Sequence, residues 1–261
     1  MYNRDVLMKQ LEAMNIPKDA TVLVHSSMKS VGEVEGGADT LLDCLCELVS
    51  DGLLVMPTHT WDTVNDENNL YNYAQTPSCT GILGKLLLER HGAIRSLHPT
   101  HSVVAWGKDA KSFVKDEHLR TTPCAREGCM GKLFDRKALV LFIGCPLSKN
   151  TMIHGVEEWT GTENRLSEPR VRNIVMYDGS LYMGMMCVHQ SPVGDVSVNY
   201  AKLEKPLMKL GAATEHKLGD ARCVLCQCDK MVRIVTELLI CEPDIFLDDK
   251  PVQKKWIEAL S

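Results

Sequence analysis

The chain has 261 residues, a net charge of -5 and 44% hydrophobic residues. This length and apolar content suffice for the core of one large domain. Nucleic-acid recognition needs an excess of Lys and Arg, which this chain lacks, so the charge argues against a nucleic-acid partner. No apolar run approaches the roughly 20 residues that cross a bilayer, and the polar start differs from a signal peptide. We therefore expect a cytoplasmic protein with no membrane partner.

Eleven cysteines are scattered along the chain without the density of a secreted disulfide scaffold, so we expect free thiols in a reducing compartment. The tightest group is Cys223, Cys226 and Cys228, which follow His216 and make a zinc site one alternative. However, Arg222–Gln227 alternates like a strand, which would turn Cys223 and Cys226 to opposite faces. With no second ligand pair in the sequence, we expect no metal.

Apolar spacing divides the chain into helices and strands. Helices are predicted over Asp5–Met14, Thr40–Val49, Gly81–His91, Asp109–Val114, Leu203–Leu210 and Met231–Leu239. Strands are predicted over Thr21–Val24, Leu53–Met56, Val103–Trp106, Ala138–Ile143 and Arg222–Gln227, with a hairpin over Glu168–Val188 that turns at Asp178–Gly179. The alternation predicts a three-layer α/β/α fold with a mostly parallel central sheet and a more antiparallel C-terminal part. We expect a single domain over residues 1–261.

Polar or glycine-containing loops separate these elements, and loops of this kind commonly serve a site. They lie at His25–Gly32, Thr58–Trp61 with Asn65–Asn72 beyond it, Arg95–Ser102 and Thr122–Leu133. Neither Gly-x-Gly-x-x-Gly after a strand nor Gly-x-x-x-x-Gly-Lys-Ser/Thr occurs. The sequence therefore gives no support to dinucleotide or P-loop nucleotide chemistry.

The segment Ala138–Trp159 has the strongest catalytic pattern. Its apolar start predicts a buried strand, and the turn that follows leads into a helix that Ser148 or Asn150 can cap. His154 then falls in the first helical turn, with Glu157 and Glu158 three and four residues further on. At that spacing a carboxylate can orient one imidazole nitrogen and leave the other free, as a general base requires.

Five blocks of the sequence, in this order, resemble the aminoglycoside 3-N-acetyltransferase family, and the similarity extends from about Leu7 to about Leu239. The blocks are Val24–Gly32, Glu35–Thr40, Leu54–Thr58, His98–Val103 and Asn150–Glu157. The resemblance implies acetyl-CoA-dependent transfer of an acetyl group to an amine of an aminoglycoside antibiotic, on a three-layer α/β fold. The expected partners are thus acetyl-CoA and a small-molecule amine.

The resemblance also implies roles for particular residues. His154 matches the family histidine that acts as the base, with Glu157 as its orienting carboxylate. The acetyl-CoA site is expected at Ser26, Ser27, Met28, Lys29, Ser30, Val31, Gly32, His101, Ser102 and Val103. The acidic residues that hold the aminoglycoside in the family have no clear match after the hairpin, where His189 and Asp195 stand instead. The candidate substrate-binding residues are Asp62, His98, His189 and Asp195.

The sequence leaves several alternatives open. Glu158 competes with Glu157 for His154, and a cysteine hydrolase that uses Cys145 with His154 is a second enzyme hypothesis. His98 and His101 either contact a ligand or only shape their loop. The chain could also bind coenzyme A without turnover. The oligomeric state is undetermined, with a homodimer as one option.

Overall fold

The computed structural model describes residues 1–260, whose strands form two sheets. The strands are β1 (Thr21–Ser26), β2 (Leu53–Pro57), β3 (Leu70–Asn72), β4 (Ile94–Arg95), β5 (Val103–Gly107), β6 (Leu139–Ile143), β7 (Arg170–Val175), β8 (Leu181–Met186), β9 (Ala213–Leu218) and β10 (Ala221–Gln227). The α-helices are α1 (Arg4–Glu12), α2 (Gly37–Leu48), α3 (Ile82–Leu88), α4 (Ala110–Phe113), α5 (Cys129–Asp135), α6 (Thr151–Trp159), α7 (Glu204–Lys209), α8 (Cys228–Cys241) and α9 (Lys254–Ala259). Short 3₁₀ helices cover Met28–Val31, Glu117–Leu119, Leu147–Lys149 and Val196–Leu203.

The main sheet has the strand order β4-β5-β2-β1-β6-β10-β9. Its central strand β1 runs parallel to β2 and β6, whereas the outer pairings are antiparallel on both sides. The α/β class is confirmed, but within the main sheet parallel pairing is confined to the three central strands. The outer strands differ because β4 and β5, like β9 and β10, are joined by short connections, which produce antiparallel neighbours. The strands β3, β7 and β8 form a separate small sheet, and the predicted hairpin is its β7–β8 pair.

Helices cover both faces of the main sheet, so its central strands are buried on either side. Val22 and Val24 of β1 pack into the core that contains α1, α2 and α3, while Leu23 packs into the core on the opposite face. This alternation follows from the two-residue period of a strand. In the part of the chain that the structure describes, no helix is both long and apolar enough to cross a membrane.

The cysteine group in and after β10 does not converge on one point. Cys223 packs into one core and Cys226 into the other, as the strand period predicts, so they cannot share a metal ion. His216 lies on β9 and contacts Thr214 at 2.9 Å. All eleven cysteines are free thiols.

Five of these helices and strands were missed by the sequence patterns. The predicted loop Thr122–Leu133 is wrong at its end, because α5 begins at Cys129. Its glycine is required by close packing: a Cβ at Gly131 would lie 1.6 Å from the Arg126 carbonyl oxygen. The missed strands are β3, within the loop that follows β2, the two-residue strand β4, and β9, which is polar at an edge of the sheet. The segment after α8, where the sequence patterns gave no element, contains α9.

Candidate active site

A hydrogen-bonded chain of four side chains lies at the start of α6. His154 Nδ1 is 2.7 Å from the Tyr200 hydroxyl, which in turn donates to Glu157 Oε2 at 2.5 Å. Arg165 Nε donates to the other carboxylate oxygen of Glu157 at 2.6 Å. Glu157 Oε2 is also 3.5 Å from His154 Nδ1, so Tyr200 bridges the pair predicted from the three-residue spacing. The helix therefore brings His154 and Glu157 together, but a residue 46 positions further along completes the link.

The hydrogen bonds among these four side chains determine which atoms of His154, Glu157 and Tyr200 carry protons. Burial opposes charge on Glu157, but its hydrogen bonds with His154, Tyr200 and Arg165 outweigh burial and lower its pKa. Burial and the neighbouring Glu157 carboxylate raise the pKa of Tyr200 well above its usual value. The single Tyr200 proton thus goes to the carboxylate, and the hydroxyl oxygen accepts from Nδ1–H of His154. This tautomer leaves Nε2 of His154 free to accept a proton.

The local sequence explains how α6 reaches the site. The strand β6 is buried and ends in a turn, and the Asn150 side chain accepts a hydrogen bond from Met152 N at 3.2 Å as the helix cap. Gly144 in that turn has φ +61°, and a Cβ there would lie 2.3 Å from the Ser30 Cβ. Glycine at 144 thus lets the turn after β6 pack against the loop that follows β1. The carboxyl ends of two parallel strands meet at the site, where α/β sheets bind ligands.

An open cleft of about 960 Å³ runs across these strand ends. His154 lines it, with the side chain 17% exposed, whereas Glu157 is buried behind it. The loops after β1, β2 and β6 line it, together with the segment 165–172 and residues 188–197. A volume of this size accepts a small molecule together with part of a coenzyme.

Five histidines cluster around the cleft. The ring of His154 stacks on His189, with centroids 4.2 Å apart and planes inclined by 20°. His189 meets His101 edge-on at 4.8 Å, and His101 also contacts His59 at 4.7 Å and His98 at 6.0 Å. Burial lowers the pKa of His59 to about 3 and that of His98 to about 4. His59 and His98 are therefore neutral at neutral pH, so they add no positive charges that would repel one another inside the cluster.

The family of the chain follows from comparison with known proteins. A sequence model described as aminoglycoside 3-N-acetyltransferase matches residues 23–240. The chain belongs to the aminoglycoside 3-N-acetyltransferase family. The resemblance identified from the sequence blocks is thereby confirmed.

Two curated relatives and one solved structure illustrate the similarity. The SPbeta prophage-derived aminoglycoside N(3')-acetyltransferase-like protein YokD of Bacillus subtilis is 31% identical over 57% of this chain and 62% of its own length. Aminoglycoside N(3)-acetyltransferase III of Salmonella is 30% identical over 63% of either chain. Both matches thus span less than two thirds of the relative. The structure of AAC-IIIb binary with CoASH has a TM-score of 0.79 at 20% identity, covering 90% of this chain and 95% of the other. This likeness shows the shared fold.

Apart from the exposed Lys29, the residues that the family resemblance assigns to acetyl-CoA divide into two groups. Ser26, Ser27 and His101 line the cleft. The others support the loops: Ser30 Oγ bonds to Ser27 Oγ at 2.9 Å and to the Gly144 carbonyl at 3.0 Å. Met28 packs against the core beneath α2, Val31, Ser102 and Val103 are buried, Gly32 has φ +85°, and Lys29 is exposed.

The four candidate substrate-binding residues occupy different environments. His189 and Asp195 line the cleft, whereas Asp62 is exposed on the loop beside Trp61. His98 is buried, and its Nδ1 accepts hydrogen bonds from the backbone of Thr100 at 3.3 Å and of His101 at 3.0 Å. These hydrogen bonds hold the backbone of the loop, so they give His98 a role in shaping it.

Glu158 has a partner of its own. Its Oε1 lies 2.7 Å from His189 Nε2 and accepts from the backbone of Cys124 at 2.9 Å. Burial raises the pKa of Glu158 to about 7, while burial and the neighbouring histidines lower the pKa of His189. The two adjacent glutamates of α6 therefore contact different imidazoles: Glu158 contacts His189, and Glu157 is the one placed beside His154. The sequence alone had left both glutamates as candidates for His154.

Cys124, Glu158 and His189 bring one potential metal ligand each within 4.8 Å of one another. Each group already has protein partners: the Cys124 thiol faces the Thr151 carbonyl at 3.7 Å, and Glu158 holds both His189 and the Cys124 amide. These contacts explain the cluster as a buried hydrogen-bonded network.

Two other candidates have surroundings that disfavour reaction chemistry. Cys145 lines the cleft, but burial raises its pKa to about 12, which disfavours the thiolate that a hydrolase needs. His25 is buried and stacks on Phe142 with centroids 5.1 Å apart, and burial lowers its pKa to about 3. His25 thus fits the role of holding the loop after β1.

Proposed function

We propose that this protein is an acetyl-CoA-dependent N-acetyltransferase that acetylates a small-molecule amine, with His154 as the general base and Glu157 as its orienting carboxylate. Family membership supports acetyl transfer, and aminoglycosides are the acceptors named for the relatives. The observation that carries the catalytic assignment is the chain from His154 through Tyr200 to Glu157 beside an open cleft. The single domain and a cytoplasmic location remain part of the proposal.

The reaction needs a base because most amine acceptors are protonated at neutral pH. The ammonium must lose a proton before its nitrogen attacks the thioester carbonyl, and Nε2 of His154 is the atom that accepts it. The new carbon–nitrogen bond then forms as the carbon–sulfur bond breaks and coenzyme A leaves as its thiolate. The second proton, which the nitrogen loses on becoming an amide, passes to that thiolate. The positive charge that His154 acquires is stabilised through Tyr200 by the ionised Glu157.

The coenzyme is proposed to lie along the loop after β1. Ser26 and Ser27 line the cleft there, and Lys29 is exposed two residues further on, where an ammonium group can reach a phosphate. Ser30, Val31 and Gly32 hold the shape of this loop, and His101, Ser102 and Val103 hold the neighbouring one. A protein of the same fold, AAC-IIIb, was solved as a binary complex with CoASH. The proposed acceptor side contains His189 and Asp195 from the segment after β8, together with Asp62 from the loop after β2 and His98 from the loop after β4.

The proposed function is tested by mixing the purified protein with acetyl-CoA and a panel of amines, then following thiol release and the mass of each amine. We expect thiol release that depends on the amine and adds one acetyl group to it. Coenzyme binding without thiol release would instead favour a binding module. Thiol release with no acetylated amine would favour a hydrolase, for which thiol-reagent inactivation at Cys145 is the second readout.

A further inference from the structure

One wall of the cleft carries three arginines, Arg165, Arg170 and Arg172, which we call the arginine wall. Arg170 and Arg172 are two residues apart on β7, so they project from the same face of that strand. Arg165 precedes them and contacts Glu157 of the catalytic chain. The arginine wall therefore adjoins the place where an acceptor meets His154.

The arginine wall has more positive charge than its protein partners neutralise. Arg165 pairs with Glu157, while Arg170 and Arg172 share the single carboxylate of Asp66. Three guanidinium groups thus face two carboxylates. The Arg165 and Arg172 side chains are only 3% and 4% exposed, yet Arg165 Nη2 and Arg172 Nε have no hydrogen-bond partner in the described chain. A buried guanidinium with an unpaired N–H lacks an acceptor oxygen.

The cleft has few unpaired carboxylates with which it could bind a polycationic acceptor. Of the carboxylates that line it among residues 1–260, Asp66 is bound by two arginines, and Asp195 accepts from the Ser197 amide at 2.9 Å. Glu157 is buried and bound to Tyr200 and Arg165. Several free carboxylates would be needed to match the charges of a polyamine. Of the two acids expected from the sequence to hold a cationic acceptor, Asp195 lines the cleft and Asp62 is exposed outside its lining, so the cleft itself presents too few carboxylates for a polycation.

We propose that the acceptor is an amine that also carries an oxyanion group, such as a carboxylate or a phosphonate, and that the arginine wall binds this group. This inference rests on the proposed acetyl transfer and specifies its acceptor. The planar guanidinium forms paired hydrogen bonds with carboxylate and phosphate oxygens. Arg170 is the most accessible member, because its side chain is half exposed. An anion held there leaves the amine of the same molecule to face His154.

The first experiment compares acceptors that differ only in the anion. Acetylation is measured for 3-aminopropylphosphonate, β-alanine, 3-aminopropanol and kanamycin at saturating acetyl-CoA, with calorimetric binding to the coenzyme A complex measured in parallel. We expect the acid-bearing amines to bind at least about tenfold more tightly than the alcohol. Equal binding, or faster acetylation of kanamycin than of both acids, overturns the inference while leaving acetyl transfer intact. If no amine is acetylated, the proposed function fails. The binding comparison still shows whether the arginine wall binds an oxyanion group.

The second experiment uses a matched pair of variants. Arg170→Gln removes one charge from the arginine wall, and Arg222→Gln removes an equally half-exposed arginine that pairs with Glu204 and Glu215 away from the cleft. We expect Arg170→Gln to weaken binding of 3-aminopropylphosphonate roughly tenfold without changing that of 3-aminopropanol, and Arg222→Gln to change neither. If Arg170→Gln raises the KM for acetyl-CoA instead, the wall binds the coenzyme phosphates, and the inference is wrong.

Discussion

The Tyr200 hydroxyl provides the most specific test of how the site is built. Tyr200→Phe removes the atom that joins His154 Nδ1 to Glu157 Oε2 and keeps the ring. That ring contacts Phe246 edge-on at 4.8 Å and His154 at 5.0 Å, so the packing around it is preserved. The substitution therefore changes the hydrogen bonds of the catalytic chain while altering shape very little.

The expected loss follows from the kind of bond removed. A hydrogen bond to a charged group contributes about 1.5–3 kcal/mol, and each 1.36 kcal/mol corresponds to about a factor of ten in rate. The 3.5 Å gap between His154 Nδ1 and Glu157 Oε2 is short enough for a small movement to restore direct contact. We therefore expect kcat to fall by roughly 10- to 100-fold, less than on removal of the imidazole itself, with the KM for acetyl-CoA almost unchanged.

The assay is steady-state thiol release with acetyl-CoA and the best acceptor, together with urea unfolding of each variant. Tyr71→Phe is the matched control, because Tyr71 is also fully buried and donates one hydrogen bond, to the Ser96 carbonyl at 2.8 Å, outside the catalytic chain. It should reduce the free energy of unfolding without a comparable loss of kcat. If Tyr200→Phe and Tyr71→Phe lower kcat equally, Tyr200 has no specific link to His154.

Two further predictions concern the coenzyme loop and the second glutamate. Lys29→Ala should raise the KM for acetyl-CoA about 3- to 10-fold with kcat nearly unchanged, because a phosphate contact far from the thioester stabilises the ground and transition states equally. An unchanged affinity for coenzyme A in a titration would contradict the placement of the coenzyme along this loop. The buried Glu158 has its pKa raised to about 7, so its protonated form favours the folded state, and this stability is lost as the pH rises from the unfolded value of about 4.5 through 7. Relative to Glu158→Gln, the native protein should lose roughly 1.4 kcal/mol of unfolding free energy per pH unit across that window, measured by urea unfolding; a difference that does not vary with pH would show that Glu158 is ionised throughout.

The parts of the fold that the sequence predicted are those with strong local patterns. The strand β6 and the helix α6 were visible because an apolar run, a turn and a capping residue lie within 22 consecutive positions. The hairpin of β7 and β8 was signalled by Asp178–Gly179. By contrast, β3 and β4 have three and two residues, too few to show a period. The edge strand β9 was missed because four of its six residues are polar or charged.

The site was only partly predictable for a related reason. The spacing of His154 and Glu157 is a property of one helix, so it can be recognised locally. Tyr200 and Arg165 reach the same carboxylate from other segments, and nothing in their own neighbourhoods marks them. The role of Asp66 was also hidden, because its partners Arg170 and Arg172 are more than 100 residues away. Contacts made by the tertiary fold, rather than by local spacing, determine the charge of the cleft.

The central claim, that His154 is the general base, is tested most directly by the turnover number of His154→Ala. A positioned base contributes about 10²–10⁴-fold, so kcat for acetyl transfer should fall by roughly that factor while calorimetry shows an unchanged affinity for acetyl-CoA. A His154→Ala protein that folds, binds acetyl-CoA and acetylates the same amine within a few-fold of the native rate would contradict the account.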